Sequence, residues 1–202
     1  GIEDLVARAG LQRRELDALA RAGALAGFGL ARREALWKTR APREDELLAG
    51  VDFREELPPL APMTRVEQMV LDYSTTGVSV GDHAMSAVRE ALPSHFKNAR
   101  DLGSMTHGEN VSTAGLVICR QRPQTASGVV FITMEDETGF VNLILWNRTF
   151  DRWRHIATTS ALLAVHGKIE RDGDVVYVVP ERLEPLTLSG GKDMPSVSRD
   201  FR

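Results

Sequence analysis

Between residues 129 and 146 apolar and polar positions alternate with a period of two. Val130, Ile132 and Met134, then Val141, Leu143 and Leu145, fall on one side; Val129, Phe131 and Thr133, then Phe140, Asn142, Ile144 and Trp146, fall on the other. Such alternation predicts two half-buried strands, and the tight Glu135–Gly139 segment joins them as a hairpin. Gly115–Cys119 predicts a strand before them. After them come a helix over Thr149–Thr159 and a second hairpin, Leu162–Ile169 with Val175–Val179, closed on Arg171-Asp172-Gly173-Asp174. Asp-Gly suits a two-residue turn with positive φ. Strand, strand, strand, helix, strand, strand is the order of a five-stranded OB-fold β-barrel, which commonly binds single-stranded nucleic acid or oligosaccharide. The first set of positions fills the barrel. The second puts Phe131, Asn142 and Trp146 outside, where bases stack, and leaves Val129 and Ile144 as exposed apolar groups. Arg120 and Arg122, in the loop after the first strand, are placed to follow phosphates, and Trp153 is assigned to the core.

The first forty residues change period. Leu5, Val6 and Ala9, then Leu16, Leu19 and Ala20, then Leu36 and Trp37 have helical spacing. Gly10-Leu11-Gln12-Arg13-Arg14-Glu15 recurs nineteen residues on as Gly29-Leu30-Ala31-Arg32-Arg33-Glu34. Short helices joined at Gly-Leu corners describe a tandem helix-hairpin-helix. A helix start offers free N–H groups and a positive dipole end, hence a place for phosphate. Arginine there is mildly unfavourable for the helix, so an Arg-Arg pair at the same place twice expects an anion. Gly10, Arg13, Arg14, Gly29, Arg32 and Arg33 are therefore the candidate contacts to a DNA backbone. The competing reading makes them surface arginines paired with Glu15 and Glu34.

Pro42, Pro58, Pro59 and Pro62 among six acidic residues mark a linker with one short helix at Glu44–Leu48. Thr64-Arg65-Val66-Glu67 has the form of a capping box opening a helix that Gly77 ends, and a second helix is expected over Asp82–Leu92. Gln68–Tyr73 matches a loose sliding-clamp-binding pattern, but its apolar positions are read as packing. Gly190-Gly191 and three serines describe a flexible tail. The expected organisation is α+β and multidomain: an all-α tandem helix-hairpin-helix (1–41), a Pro-rich acidic linker (42–63), a helical connector (64–104), the OB-fold barrel (105–188) and the tail (189–202).

Composition sharpens this only in places. The 202 residues carry a formal charge of −3, yet between Arg8 and Arg43 nine Lys/Arg face three acids, a net of +6. That block lies where the repeated corners are. Cys119 is the single cysteine, so no disulfide forms within the chain, which fits a reducing cytoplasm. No apolar run approaches the ~18 residues of a membrane span. The five histidines lack metal-ligand spacing, Glu135-Asp136-Glu137 reads as solvated acid in a turn, and no nucleophile–base set appears. The segment is expected to bind without catalysing, with no metal or cofactor of its own. Its start, Gly1-Ile2-Glu3-Asp4, reads as a cut from a longer protein.

With both halves read, the chain resembles the C-terminal part of the bacterial C-family DNA polymerases, most closely the error-prone branch of the DNA polymerase III alpha subunit family. The residues carrying the resemblance are Leu16–Trp37, Asp72-Tyr73 with His83-Ala84-Met85, Gly115–Ile118, Arg120-Gln121-Arg122-Pro123, Gly128–Gly139 and Ser198–Arg202. It implies a parent nucleotidyltransferase whose Mg2+-binding carboxylates lie upstream. It also implies duplex contact by the helix-hairpin-helix, single-strand template contact by the barrel, and work in DNA damage repair, translesion synthesis and mutagenesis. The implied partners are an inactive Y-family-like polymerase and a RecA-like accessory protein, with the clamp reached through the former. Ser127 stands where relatives often carry Lys, which removes a phosphate partner, and His83-Ala84-Met85 lacks a Pro common after the His. A protein-docking platform with little DNA affinity is the alternative, and a tRNA-binding barrel of a synthetase a third.

Overall fold

The computed structural model describes residues 1–40, 58–124, 128–188, 194–196 and 198–201. The expected helix at Glu44–Leu48, Ser127 and Gly190-Gly191 lie outside the described residues. The described chain divides into two compact units, Gly1–Val78 and Ser79–Arg202. The segment expected as one connector is thereby split, its first helix in the first unit and the rest in the second.

The first unit holds α1 (Ile2–Ala9), α2 (Arg13–Arg21), a 3₁₀ turn (Ala24–Phe28), α3 (Arg32–Arg40) and α4 (Arg65–Thr76). Leu16, Ala20, Leu25 and Ala35 form its buried centre, with Leu11 and Leu30 of the two corners packed against it. The sequence repeat is also a repeat of geometry. Gly10 and Gly29 both take left-handed backbone, at φ 63° and 75°, where only glycine is unstrained. Glu15 then accepts from the Gln12 N–H at 2.8 Å and Glu34 from the Ala31 N–H at 2.9 Å. The element before the second corner is a 3₁₀ turn between left-handed Gly23 and Gly29, not a full helix. α4 opens as expected: Thr64 accepts from the Glu67 N–H at 3.2 Å while Glu67 accepts from the Thr64 N–H at 2.9 Å. Its buried Met69 and Tyr73 confirm packing as the role of the Gln68–Tyr73 pattern. Thr64→Ala is expected to cost about 1 kcal/mol, the usual value of an N-cap, read as a lower urea midpoint for the first unit.

The second unit contains α5 (Ser86–Arg89), β1 (Phe96–Lys97), α6 (Ala99–Leu102), β2 (Asn110–Gln121), β3 (Val130–Asp136), β4 (Gly139–Leu145), α7 (Asn147–Thr159), β5 (Leu162–Asp172), β6 (Val175–Pro185) and β7 (Arg199–Phe201). The sheet runs β2-β3-β4-β6-β5 and closes through β5 back onto β2, with β4 and β6 parallel. That is the five-stranded OB barrel the strand order predicts. Val130, Ile132, Met134, Val141, Leu143 and Leu145 all lie in its core. Fully burying such side chains contributes about 1.5–3 kcal/mol each.

Four expectations are corrected here. The strand expected over Gly115–Cys119 is twelve residues long, because Asn110–Ala114, too polar to announce itself, pairs with β5. The helix expected over Asp82–Leu92 shrinks to the four residues of α5; the His83 ring nitrogen takes the Met85 N–H locally and Arg89 is drawn onto the β3–β4 hairpin, so a side-chain cap and a long-range ion pair compete with local propensity. Val129 is buried and Ile144 half-buried, so neither is an exposed apolar group. Within the tail, Arg199–Phe201 pairs in parallel with Cys119–Gln121, where β2 has outrun β5 and its edge is open.

Candidate nucleic-acid interface

At the first corner, the side chains of Arg13 and Arg14 are exposed, and one Arg13 Nη donates to the carbonyl of Arg40 at 2.6 Å. The second corner behaves differently. Arg32 bonds the Gln68 carbonyl at 3.0 Å and pairs with Asp72 at 2.8 Å, its side chain only 18% exposed. It reaches them by crossing Gly23, where a Cβ would meet its guanidinium at 2.7 Å. Arg33 bonds the Ala61 carbonyl at 2.8 Å and Glu67 at 3.1 Å. The anions awaiting the second Arg pair are thus carboxylates of α4. Neither reading of the repeat foresaw this, because the acids lie some thirty-five residues away.

On the barrel, the outer face of β3 and β4 carries Phe131 opposite Ile144 and Gln121, and Thr133 opposite Asn142. The Thr133 hydroxyl donates to Asn142 Oδ1 at 3.2 Å, and Tyr177 of β6 lies in register beside Asn142. Phe131 and Asn142 are half-buried, whereas Trp146 is 52% exposed as the residue preceding α7. Phe140, 64% exposed and not singled out by the sequence, lines a cleft of about 340 Å³ with Asn142, Asp174 and Val175.

Arg120 does not belong to this surface. It sits in β2, 8% exposed, and its Nε donates to the Ala157 carbonyl at 2.7 Å while Nη2 donates to the Ser160 carbonyl at 2.6 Å. A cation at the last carbonyls of α7 closes that helix and stabilises its negative end. The longer β2 is what turned an expected loop residue into a cap. Arg122 remains exposed, its guanidinium 5.3 Å from the centre of the Phe150 ring. Trp153 packs on the core as expected, donating to the Glu181 carbonyl at 3.2 Å.

The Glu135-Asp136-Glu137 turn is not plain solvated acid. Asp136 is buried; its Oδ1 accepts from the Thr138 N–H and hydroxyl, both at 2.7 Å, and from the Gly139 N–H at 3.1 Å. Its Oδ2 accepts from the Ala99 N–H at 2.7 Å and pairs with Arg89 at 3.4 Å. Arg89 also grips Glu137 through two nitrogens, at 2.7 and 3.0 Å. These bonds staple residues 83–102 to the hairpin that carries the outer face.

Burial pushes the His83 imidazole below its ordinary 6.5, against the pull of Glu135, Glu137 and Asp136. Burial would raise the Glu137 carboxyl, but the hydrogen bonds and charge of Arg89 outweigh it and hold the group below its ordinary 4.5. Both groups therefore bind fewer protons folded than unfolded. The stability they supply is present above those ordinary values and is lost as pH falls through them, first by His83 and then by Glu137. The urea midpoint of the second unit is expected to fall between about pH 7.5 and 5.5, and His83→Gln to flatten that interval; a midpoint indifferent to pH there refutes the assignment.

Ser112, His166 and Glu184 line up across β2, β5 and β6 at 2.8 and 3.5 Å. Arg182 already holds Glu184 at 2.7 Å and Phe96 lies edge-on to the imidazole, which makes a cross-strand ladder. Among the described residues no group of three His, Cys, Asp or Glu is placed to hold a metal ion, and no helix is long and apolar enough to cross a membrane.

Residues 111–186 match the tRNA_anti-codon family, described as an OB-fold nucleic acid binding domain. The chain is 41% identical over 199 residues to the error-prone DNA polymerase of Caulobacter vibrioides, covering 94% of this chain and 18% of that protein. It is 40% identical over 208 residues to the error-prone DNA polymerase of Methylococcus capsulatus, covering 100% and 19%. The chain thus spans about a fifth of the length of the curated relatives it matches. Among solved structures, asparaginyl-tRNA synthetase from Pyrococcus horikoshii aligns over 48% of this chain and 23% of its own at 17% identity, with a TM-score of 0.41.

Proposed function

We propose that this chain, related along nearly its whole length to a segment of the error-prone DNA polymerases, is the non-catalytic, DNA-holding C-terminal region of such an enzyme. The observation that carries the reading is a closed OB barrel whose outer face bears Phe131 and Asn142, with an exposed Trp146 directly after β4, within a chain akin to DNA polymerases. Aromatic faces on a barrel stack bases whatever the sequence, as a polymerase holding any template requires. Arg122 supplies charge at the rim.

The repeated corners act as a tandem helix-hairpin-helix on duplex DNA. Gly10 and Gly29 bring backbone close to the phosphates, while Arg13 and Arg14 supply the charge; Arg32 and Arg33 chiefly fasten α4. Arg13→Ala with Arg14→Ala is expected to make the salt dependence of duplex binding shallower by about 1.8, at roughly 0.9 per phosphate contact. Arg32→Ala with Arg33→Ala is expected to destabilise the first unit instead. Fluorescence anisotropy across salt concentrations tests this, and an unchanged slope in the first pair removes the backbone grip.

The parent enzyme transfers nucleotides with Mg2+ held upstream and works in damage-induced mutagenesis and translesion synthesis. Its partners are an inactive Y-family-like polymerase and a RecA-like accessory protein, and its setting is the cytoplasm. A docking role is the second reading, and the cleft between Phe140 and Val175 favours it, because it sets apolar side chains beside Asp174, which repels phosphate. Binding of the accessory proteins but not of oligonucleotides decides for docking.

A further inference from the structure

The geometry points to an extension of the strand-binding surface onto α7: Arg154 joins Arg122, two guanidiniums gathered on the single ring of Phe150, to form a clamp for successive phosphates of single-stranded DNA one helical turn from Trp146. This rests on the DNA-holding reading and extends it from the strand face to the helix. Arg122 lies 5.3 Å and Arg154 5.1 Å from the centre of the Phe150 ring, which their stems help to bury. The loop bearing Arg122 returns at Gly128, where a Cβ would touch the Asn147 side chain at 2.8 Å. Gly128 is thus packed against the start of the helix.

An arginine over an aromatic face keeps its charge and its outward N–H groups while losing freedom. Two of them on one ring repel each other and gain when phosphates lie against both. Asp151 answers only one: it pairs with Arg154 at 2.5 Å, both side chains more than half exposed. Such exposed pairs are weak and exchange readily for a phosphate. From Trp146 to Trp153 the helix carries Arg148 and Arg152 as well against Asp151 alone, so the surface stays positive in a chain whose total charge is negative. Phosphates held on the two arginines bring their bases to the exposed ring of Trp146, a stacking platform at the near end of the helix.

The test uses the 202-residue chain and a labelled oligothymidylate of about 20 nucleotides, followed by anisotropy over a salt series. Arg122→Met with Arg154→Met keeps the stems over Phe150 and removes the charge. Expected are an unchanged melting temperature, binding weakened about 15-fold near 0.15 M salt, and a slope shallower by about 1.4, at roughly 0.7 per phosphate on a single strand. Arg122→Lys with Arg154→Lys keeps the slope. If the methionine pair keeps the wild-type slope while Asn142→Ala weakens binding, this clamp is wrong and the strand-face reading stands. Lysine variants that lose as much slope as the methionine ones also overturn it, by showing a role in packing. A wild-type chain with no affinity for the oligonucleotide overturns the DNA-holding reading and the clamp together.

Discussion

Replacing Asp136 with alanine is expected to destabilise the barrel unit by about 3–5 kcal/mol, the cost of breaking a buried charged cluster from one side. The carboxylate is fully buried and receives four hydrogen bonds besides its pairing with Arg89. Its removal strands the N–H groups of Ala99, Thr138 and Gly139, each worth about 1–3 kcal/mol when left unsatisfied. It also leaves Arg89 with Glu137 alone. Asp136→Asn keeps the shape and the Oδ1 contacts but loses the charge, and about half the penalty is expected. Urea unfolding followed by tryptophan fluorescence measures both. An alanine variant within about 1 kcal/mol of wild type, the net worth of one ordinary hydrogen bond, would show that the hairpin does not depend on this residue. Loss of the staple should also weaken oligonucleotide binding, since the same hairpin presents Phe131 and Asn142.

Gly167→Ala is expected to cost at least about 3 kcal/mol, the upper end of what overpacking usually does. Gly167 stands in β5 where the register with β6 shifts, between His166 and Gly167. A Cβ there would overlap the Val179 carbonyl oxygen and lie 2.9 Å from the Pro180 Cα. Both obstacles are backbone, so no side chain can turn away; β5 and β6 must part within the barrel wall. Gly173→Ala is the informative contrast. It sits at the tip of the same hairpin with open space around its Cβ, so its cost is only the strain of φ 58°, about 1–2 kcal/mol. Equal melting temperatures for the two variants would contradict the close-approach argument.

Much of the barrel was legible because its chemistry is local. Alternation separated Val130, Ile132 and Met134 from Phe131 and Thr133 correctly, and the capping box at Thr64 and the Gly-Leu corners followed from residues within four positions of one another. Arg120, Arg32, Arg33 and Asp136 were misplaced for one common reason. Each is a charged side chain whose partner is distant in sequence: the carbonyls ending α7 for Arg120, the carboxylates of α4 for Arg32 and Arg33, and the Ala99 N–H and Arg89 for Asp136. Phe150 carried no signal of its own in the sequence; only the fold brings Arg122 over its ring.

The sequence by itself determined the strand order, the inward faces and the twin corners, since backbone periodicity and turn stereochemistry act between neighbours. Only the tertiary structure decided which arginines are spent inside the protein and which face solvent. A charge is neutralised by whatever lies within a few ångströms of it, and that is fixed by the closing of the barrel and the packing of α4, not by the order of residues.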